Sequence, residues 1–148
     1  MPQQIIYALQ FSGQAVPQND QGTVLKATTH APSSKITSVV KQGVDAQIQT
    51  VEGGVAQFSS TVEFLTDNTF TESGTITFGQ GNSLRFGTVG QGAIGPSPEE
   101  GVSHGVVSWR LMKGTGVFEN ARGFITSNFT VGAEGEVTDN QFGVIYLM

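Results

Sequence analysis

The stretch that most limits what this chain can become runs from Val102 to Val131. Two segments of alternating apolar and polar residues, the first carrying Trp109 and the second ending at Phe129, flank Gly114-Thr-Gly-Val-Phe-Glu-Asn-Ala-Arg-Gly123. A period of two sends successive side chains to opposite faces of a strand, and glycine supplies the backbone freedom that a tight reversal needs. The pattern predicts a long β-hairpin cornered at Gly114, Gly116 and Gly123, with Phe118 and Ala121 folded back to plug the end of a core.

The rest of the chain repeats this pattern. Ile5, Tyr7, Leu9 and Phe11 share one face of a first strand, Ile5–Phe11, and Gly13, Pro17, Asn19 and Asp20 mark Ser12–Gln21 as a loop. A strand over Thr23–Thr29 ends before a break at Ala31-Pro-Ser-Ser34, and His30 beside it reads as a turn residue. Segments at Lys35–Lys41 and Ala46–Val51 follow; Ile36, Val39 and Val40 would suit a short helix as well as a strand. After a Gly53-Gly54 turn, Ala56, Phe58, Ser60, Val62 and Phe64 alternate with polar residues. A turn at Thr66–Thr69 leads to a strand with Phe70, Glu72, Gly74, Ile76 and Phe78 on one face and Thr and Ser on the other. Gly79-Gln-Gly-Asn82 turns the chain into Ser83–Thr88. Gly90–Gly101 is the longest stretch without strand character, readable as a mouth loop or lid, or as a mobile acidic connector. In a last strand, Glu136–Leu147, Phe142, Val144 and Tyr146 alternate with Gln141, Gly143 and Ile145.

At 148 residues the chain fits one domain, residues 1–148, able to bury roughly two-thirds of its unfolded surface. Its 20 glycines and low charged fraction of 13% suit strands joined by tight turns and do not favour helix. A net charge of −5 offers no electrostatic footprint for nucleic acid or an anionic membrane. Without cysteine there can be no disulfide, thiolate catalysis or cysteine-ligated metal. The opening residues lack a basic head followed by a sufficient apolar run, and no segment reaches the ~18 apolar residues of a membrane helix. The expectation is a soluble, cytoplasmic protein, with a processed mature form left open.

About eight meandering antiparallel strands remove both sheet edges by closing on themselves, which predicts an all-β, up-and-down barrel. A two-sheet sandwich is the competing fold. Trp-Arg-Leu-Met-Lys-Gly-Thr-Gly-Val-Phe-Glu-Asn-Ala-Arg-Gly, from Trp109 to Gly123, resembles the glycine-Thr/Ser-glycine-x-Phe-x-x-Ala/Val-x-Gly corner of dirigent proteins and allene oxide cyclases. The resemblance is specific over about fifteen residues, and strand count and chain length agree with it. It implies a calycin-like barrel that assembles into trimers. It also implies a hydrophobic small molecule held in the lumen and guided through cyclisation, isomerisation or stereoselective coupling without a redox cofactor. The family's catalytic residues lie outside the matching corner, so none carries over.

Among residues that could do chemistry, Glu72 leads. A carboxyl sharing a strand face with Phe70, Ile76 and Phe78 should titrate high enough to serve as acid or base near neutrality, unless that face points outwards. Arg110 shares a face with His104, Val106 and Met112, and could pair with Glu72 or grip a ligand oxygen. His104 could shuttle a proton or be a solvated residue at a strand start. Tyr7 and Tyr146 could present phenols to the lumen beside Phe70, Ile76 and Phe78, or pack with wet tips.

Several motifs are set aside. Gly114-x-Gly116 lacks the third glycine and following helix of a dinucleotide loop, Asn128-Phe-Thr130 is a glycosylation triplet within a strand, and no serine sits in a nucleophile elbow. Two isolated histidines make no metal site, and no cofactor is expected. Two function classes remain, a cofactor-free isomerase or cyclase and a non-catalytic carrier of a small hydrophobic ligand, beside a purely structural barrel whose lumen is filled by the ten phenylalanines. Val107, Trp109 and Leu111 oppose Val106 and Met112 on one strand. A small barrel has only one inside, so the second apolar face predicts a homo-oligomer, a dimer or trimer, or a covering loop.

Overall fold

The computed structural model describes residues 3–31, 35–40, 44–49 and 56–148. Eleven strands follow in order: β1 (Gln3–Pro17), β2 (Val24–Ala31), β3 (Lys35–Val40), β4 (Val44–Gln49), β5 (Ala56–Phe64), β6 (Thr69–Phe78), β7 (Ser83–Thr88), β8 (Gly92–Pro96), β9 (Ser103–Thr115), β10 (Arg122–Val131) and β11 (Glu136–Leu147). A 3-10 turn, Gly116–Phe118, sits between β9 and β10. Among the described residues there is no α-helix, and so none long and apolar enough to cross a membrane.

Neighbouring strands pair antiparallel in the order β10-β11-β1-β2-β5-β6-β7-β9, and β9 pairs back onto β10, so the sheet closes into an eight-strand barrel. A ninth strand, β8, extends the wall that β7 begins: β7 meets β9 from Ser83↔Thr115 to Thr88↔Trp109, and β8 meets it from Ala93↔Val106 to Pro96↔Ser103. β3 and β4 pair with each other as a separate ribbon. The closed barrel is therefore the fold, and the sandwich is not.

Strand placement departs from expectation in a few places. β1 continues through the expected loop as far as Pro17, because its pairing with β2 from Ser12↔His30 to Pro17↔Leu25 supplies partners that local turn propensity does not anticipate. His30 accordingly lies within β2, opposite Gln57 on β5. Lys35–Val40 is a strand, not a helix. The expected Gly90–Gly101 loop is half strand: Gly92-Ala-Ile-Gly-Pro96 pairs along β9 although glycine and proline hide its alternation. Only residues 97–102 reverse the chain, closed by the Ser97 N–H donating to the Val102 carbonyl at 2.9 Å. The expected break at Pro32–Ser34, the residues Lys41, Thr50 and Val51, and the Gly53-Gly54 turn lie outside the described residues.

Inside, the faces of β1, β5 and β6 are those the alternation predicts, while on β9, apolar on both faces, the Val107, Trp109 and Leu111 face turns in. Tyr7, Leu9, Phe11, Phe58, Phe70, Ile76, Phe78, Val107, Trp109 and Leu111 are all buried. The middle of the lumen is an aromatic layer in which Phe86 lies 4.3 Å from Trp109 and 5.4 Å from Phe58, centroid to centroid. One end is stoppered by the corner: Phe118 and Ala121 are buried, and Phe118 packs on Phe78 at 5.2 Å. The corner needs Gly116 at φ 61°, where a Cβ would strike Asn82 Oδ1 and the Gly81 carbonyl. Asn82 Oδ1 instead accepts the Val117 N–H at 3.0 Å, tying this turn to the β6–β7 turn.

Candidate functional site

The opposite end of the lumen is not filled. Leu25, Val62, Phe64, Phe70, Ile94, Phe129 and Val137 bound a cavity that reaches inwards to Ala27, Thr29 and Phe58. It leaves about 60 Å³ for the centres of water-sized molecules. That is room for several waters or the head of a small ligand, and well under the roughly 300 Å³ of a pocket sized for a drug-like molecule. Phe70 stands at 5.8 Å from Phe129 and 6.1 Å from Phe64, both in edge-on contact. Gly92 on β8 makes room for the Phe70 ring, since a Cβ there would lie 2.3 Å from Cζ.

Two carboxyls reach this apolar space, Glu72 on β6 and Asp139 on β11, together with Ser127 on β10. Three staves lie between β6 and β11 in either direction around the ring, so the acids face each other from opposite walls. Ser60 Oγ donates to Glu72 Oε2 at 2.5 Å, and Ser127 Oγ to Asp139 Oδ1 at 2.5 Å. Gln141 Nε2 donates to Asp139 Oδ2 at 2.8 Å, and the Tyr7 hydroxyl donates to Gln141 Oε1 at 2.7 Å, forming a chain Tyr7–Gln141–Asp139 that crosses from β1 to β11.

Burial governs the titration. Burial first and the Asp139 charge second raise Glu72, against the Ser60 hydroxyl and the nearby Trp109 indole N–H, to about 8. Burial likewise lifts Asp139 to about 6 against hydrogen bonds from Ser127 and Gln141. Burial, then Asp139, push the Tyr7 phenol well above its ordinary value, so it stays neutral. Near neutrality the pair therefore holds one proton on Glu72 and one charge on Asp139. Among the described residues, two buried side-chain polar atoms have no hydrogen-bond partner: Trp109 Nε1, close to Glu72 but without bonding geometry, and Thr29 Oγ1 on the cavity wall.

The backbone of Glu72 is itself pinned. Thr88 Oγ1 accepts the Glu72 N–H at 2.6 Å and donates to the Glu72 carbonyl at 2.6 Å. Thr88 is the last residue of β7, just before the wall breaks towards β8, so a side chain continues the ladder where the strand stops.

Of the residues chosen from sequence, Glu72, Tyr7, Phe70, Ile76 and Phe78 all point inwards. Glu72 and Phe70 line the cavity, Tyr7 reaches it through Gln141, and Ile76 and Phe78 belong to the packed core. Arg110 and His104 are exposed and do not meet Glu72. On β9 the bulkier set Val107, Trp109 and Leu111 takes the inside, which turns the Arg110 and His104 face to solvent, where the Arg110 guanidinium lies 5.5 Å from the Phe124 ring centroid. Tyr146 is 41% exposed on the outer wall, with its hydroxyl accepting from Gln4 Nε2 at 3.3 Å.

Asp139, Gln141, Ser127 and Thr29 escaped the sequence reading. On β11 the residues facing inwards are Val137, Asp139, Gln141 and Ile145, which look like a solvent face, while Phe142 and Tyr146 face out. A usable signal was the β10–β11 register: the hairpin aligns Ile125↔Gly143 and Phe129↔Asp139, placing Asp139 on the same side as those apolar residues.

No protein-family model and no curated protein matches this chain. Among solved structures it is similar to one described as the structure of the pterocarpan synthase dirigent protein GePTS1, at 17% identity, covering 97% of this chain and 89% of that one, with a TM-score of 0.48.

Proposed function

We propose that the barrel binds a small, largely apolar molecule at its open end and that Glu72 acts on it as a general acid or base, in an isomerisation or cyclisation that needs no redox cofactor. The observation that carries this reading is the placement of two buried carboxyls in one apolar cavity, one holding its proton near neutral pH and the other ionised. The lumen would contribute by orienting a flexible substrate, and the Glu72 carboxyl by exchanging a proton with it. The dirigent-like corner at Trp109–Gly123 agrees with such a role. The test screens small apolar compounds for thermal stabilisation, then follows hits by chiral chromatography with the wild type and Glu72→Gln. Turnover lost with binding retained supports the acid–base role; binding with no product from either protein favours the carrier.

The reading extends to self-association. Outside β1, β11 and β10, Ile6, Val144 and Phe124 form one uncharged row and Ala8, Phe142 and Thr126 the next, bordered by Tyr146. Phe124, Phe142 and Tyr146 are 53%, 48% and 41% exposed, an apolar wall edged by Arg110 and Arg122 that a second copy could cover. Sedimentation should show a dimer or trimer that Phe142→Glu dissociates; a wild-type monomer at high concentration rejects this.

A further inference from the structure

We infer that the molecule this lumen takes is a small organic cation, a protonated amine on an apolar or aromatic body, with its ammonium seated between Asp139 and Glu72. The inference rests on the lumen being a binding site and adds the charge of what enters.

Its first support is the character of the groups around the carboxyls. Ser60 on β5, Ser127 on β10 and Gln141 on β11 donate to the two acids, and the Trp109 N–H on β9 points its partial charge towards Glu72. All are neutral. They favour the ionised carboxylates without supplying a counter-ion, and Tyr7 adds only a neutral hydroxyl through Gln141. The described basic side chains, Lys26, Arg85, Arg110, Lys113 and Arg122, are all exposed, as are His30 and His104. A buried carboxylate without a cation costs several kcal/mol, so an empty lumen compensates by keeping a proton. An arriving ammonium would replace that proton.

The second support is independent of charge. Thr29 is 97% buried, lines the cavity, and its Oγ1 has no partner, so it offers an acceptor where an N–H of the ligand would lie. The third is the wall itself, where Phe58, Phe64, Phe70 and Phe129 surround the acids with aromatic rings, whose faces attract a desolvated cation. The small volume suits an ammonium head, with the rest of the molecule lying towards the rim at Phe64, Ile94 and Phe129. An anionic ligand would meet two acids and, among the described residues, no basic side chain on the cavity wall.

Four probes with closely matched bodies separate the possibilities: 2-phenylethylammonium, 2-phenylethanol, phenylacetate and toluene, each titrated calorimetrically in two buffers of different ionisation enthalpy. The ammonium should bind at least about tenfold more tightly than the alcohol, release protons on binding, and gain affinity as pH rises from 6 to 8; phenylacetate should not bind detectably. Asp139→Asn should remove the tenfold preference while leaving alcohol and toluene affinities unchanged. Thr29→Val, which keeps shape and removes the lone acceptor, should weaken only the ammonium. If alcohol or toluene binds as tightly as the ammonium, or phenylacetate binds best, the cation inference is overturned and the binding lumen stands. If none of the four binds the folded wild type, the lumen reading fails and the inference with it.

Discussion

The two ends of the lumen are closed by different means. At one, a single local motif turns back on itself, and Phe118 and Ala121 stopper the barrel against Phe78. At the other, residues from six strands converge, and they leave a cavity with two carboxyls, the Ser127 hydroxyl and an unpaired threonine hydroxyl in it. Filling a lumen end takes one aromatic plug. Leaving it open while burying acids takes hydroxyl and amide donors, Ser60 for Glu72 and Ser127 with Gln141 for Asp139. The packed end is built for stability, and the open end spends some of it on a site.

The largest effect should come from pH. Glu72 is raised from 4.5 to about 8 and Asp139 from 3.8 to about 6 on folding. A raised acid contributes stability that is complete below its unfolded value and is lost as pH climbs to its folded one. The barrel should therefore lose stability between pH 4 and 8, on the order of 8 kcal/mol from this pair. From about pH 4.5 to 6 the two acids contribute equally to the loss, and above about pH 6 Glu72 alone continues it. Thermal melts across that range should flatten between pH 6 and 8 in Glu72→Gln and lose about half their slope between pH 4.5 and 6 in Asp139→Asn. A wild-type curve rising with pH would show the acids to be ionised in the folded state throughout.

Next in size is the unplugging of the packed end. Phe118→Ala should cost about 3–5 kcal/mol, as for a buried aromatic leaving a cavity, whereas Phe129→Ala, at the half-buried rim of a space already open, should cost clearly less. Denaturant melts of the two variants measure the difference. Equal losses would mean that the ends are energetically alike.

The smallest effect tests how the open end holds its acid. Thr88→Val removes the hydroxyl that both accepts from and donates to the Glu72 backbone, and should cost about 1–2 kcal/mol. It should also lower ligand affinity more than Phe118→Ala does. The reverse ranking would place control of the site in the packed end.

These two ends also differ in how far the sequence exposes them. The stopper is contiguous, and Gly114, Gly116, Phe118, Ala121 and Gly123 declare it within ten residues. On β6, Glu72 was readable because Phe70, Ile76 and Phe78 share its parity and outweigh one carboxyl. On β11 the same logic fails: Asp139 and Gln141 point into the lumen while Phe142 and Tyr146 face outwards, so hydrophobicity marks the wrong side. Arg110 misled for a related reason, since β9 is apolar on both faces and only the bulk of Trp109 decides which turns in. Pairing Glu72 with Asp139 needed barrel closure, which brings strands 67 positions apart to one cavity and leaves no local trace.

The pairing of the first strand with the last, Gln3↔Leu147 through Gln14↔Glu136, has a consequence for how the protein comes into being. Contacts that span nearly the whole chain are the slowest to form, because the loop they close is the longest. Asp139 and Gln141 arrive with that last strand, and Tyr7 waits for them on the first. A growing or partly folded chain can hold Glu72, but not its opposite number. Occupation of the lumen is thus a report that the ring has shut, and a molecule that binds there would hold the seam closed.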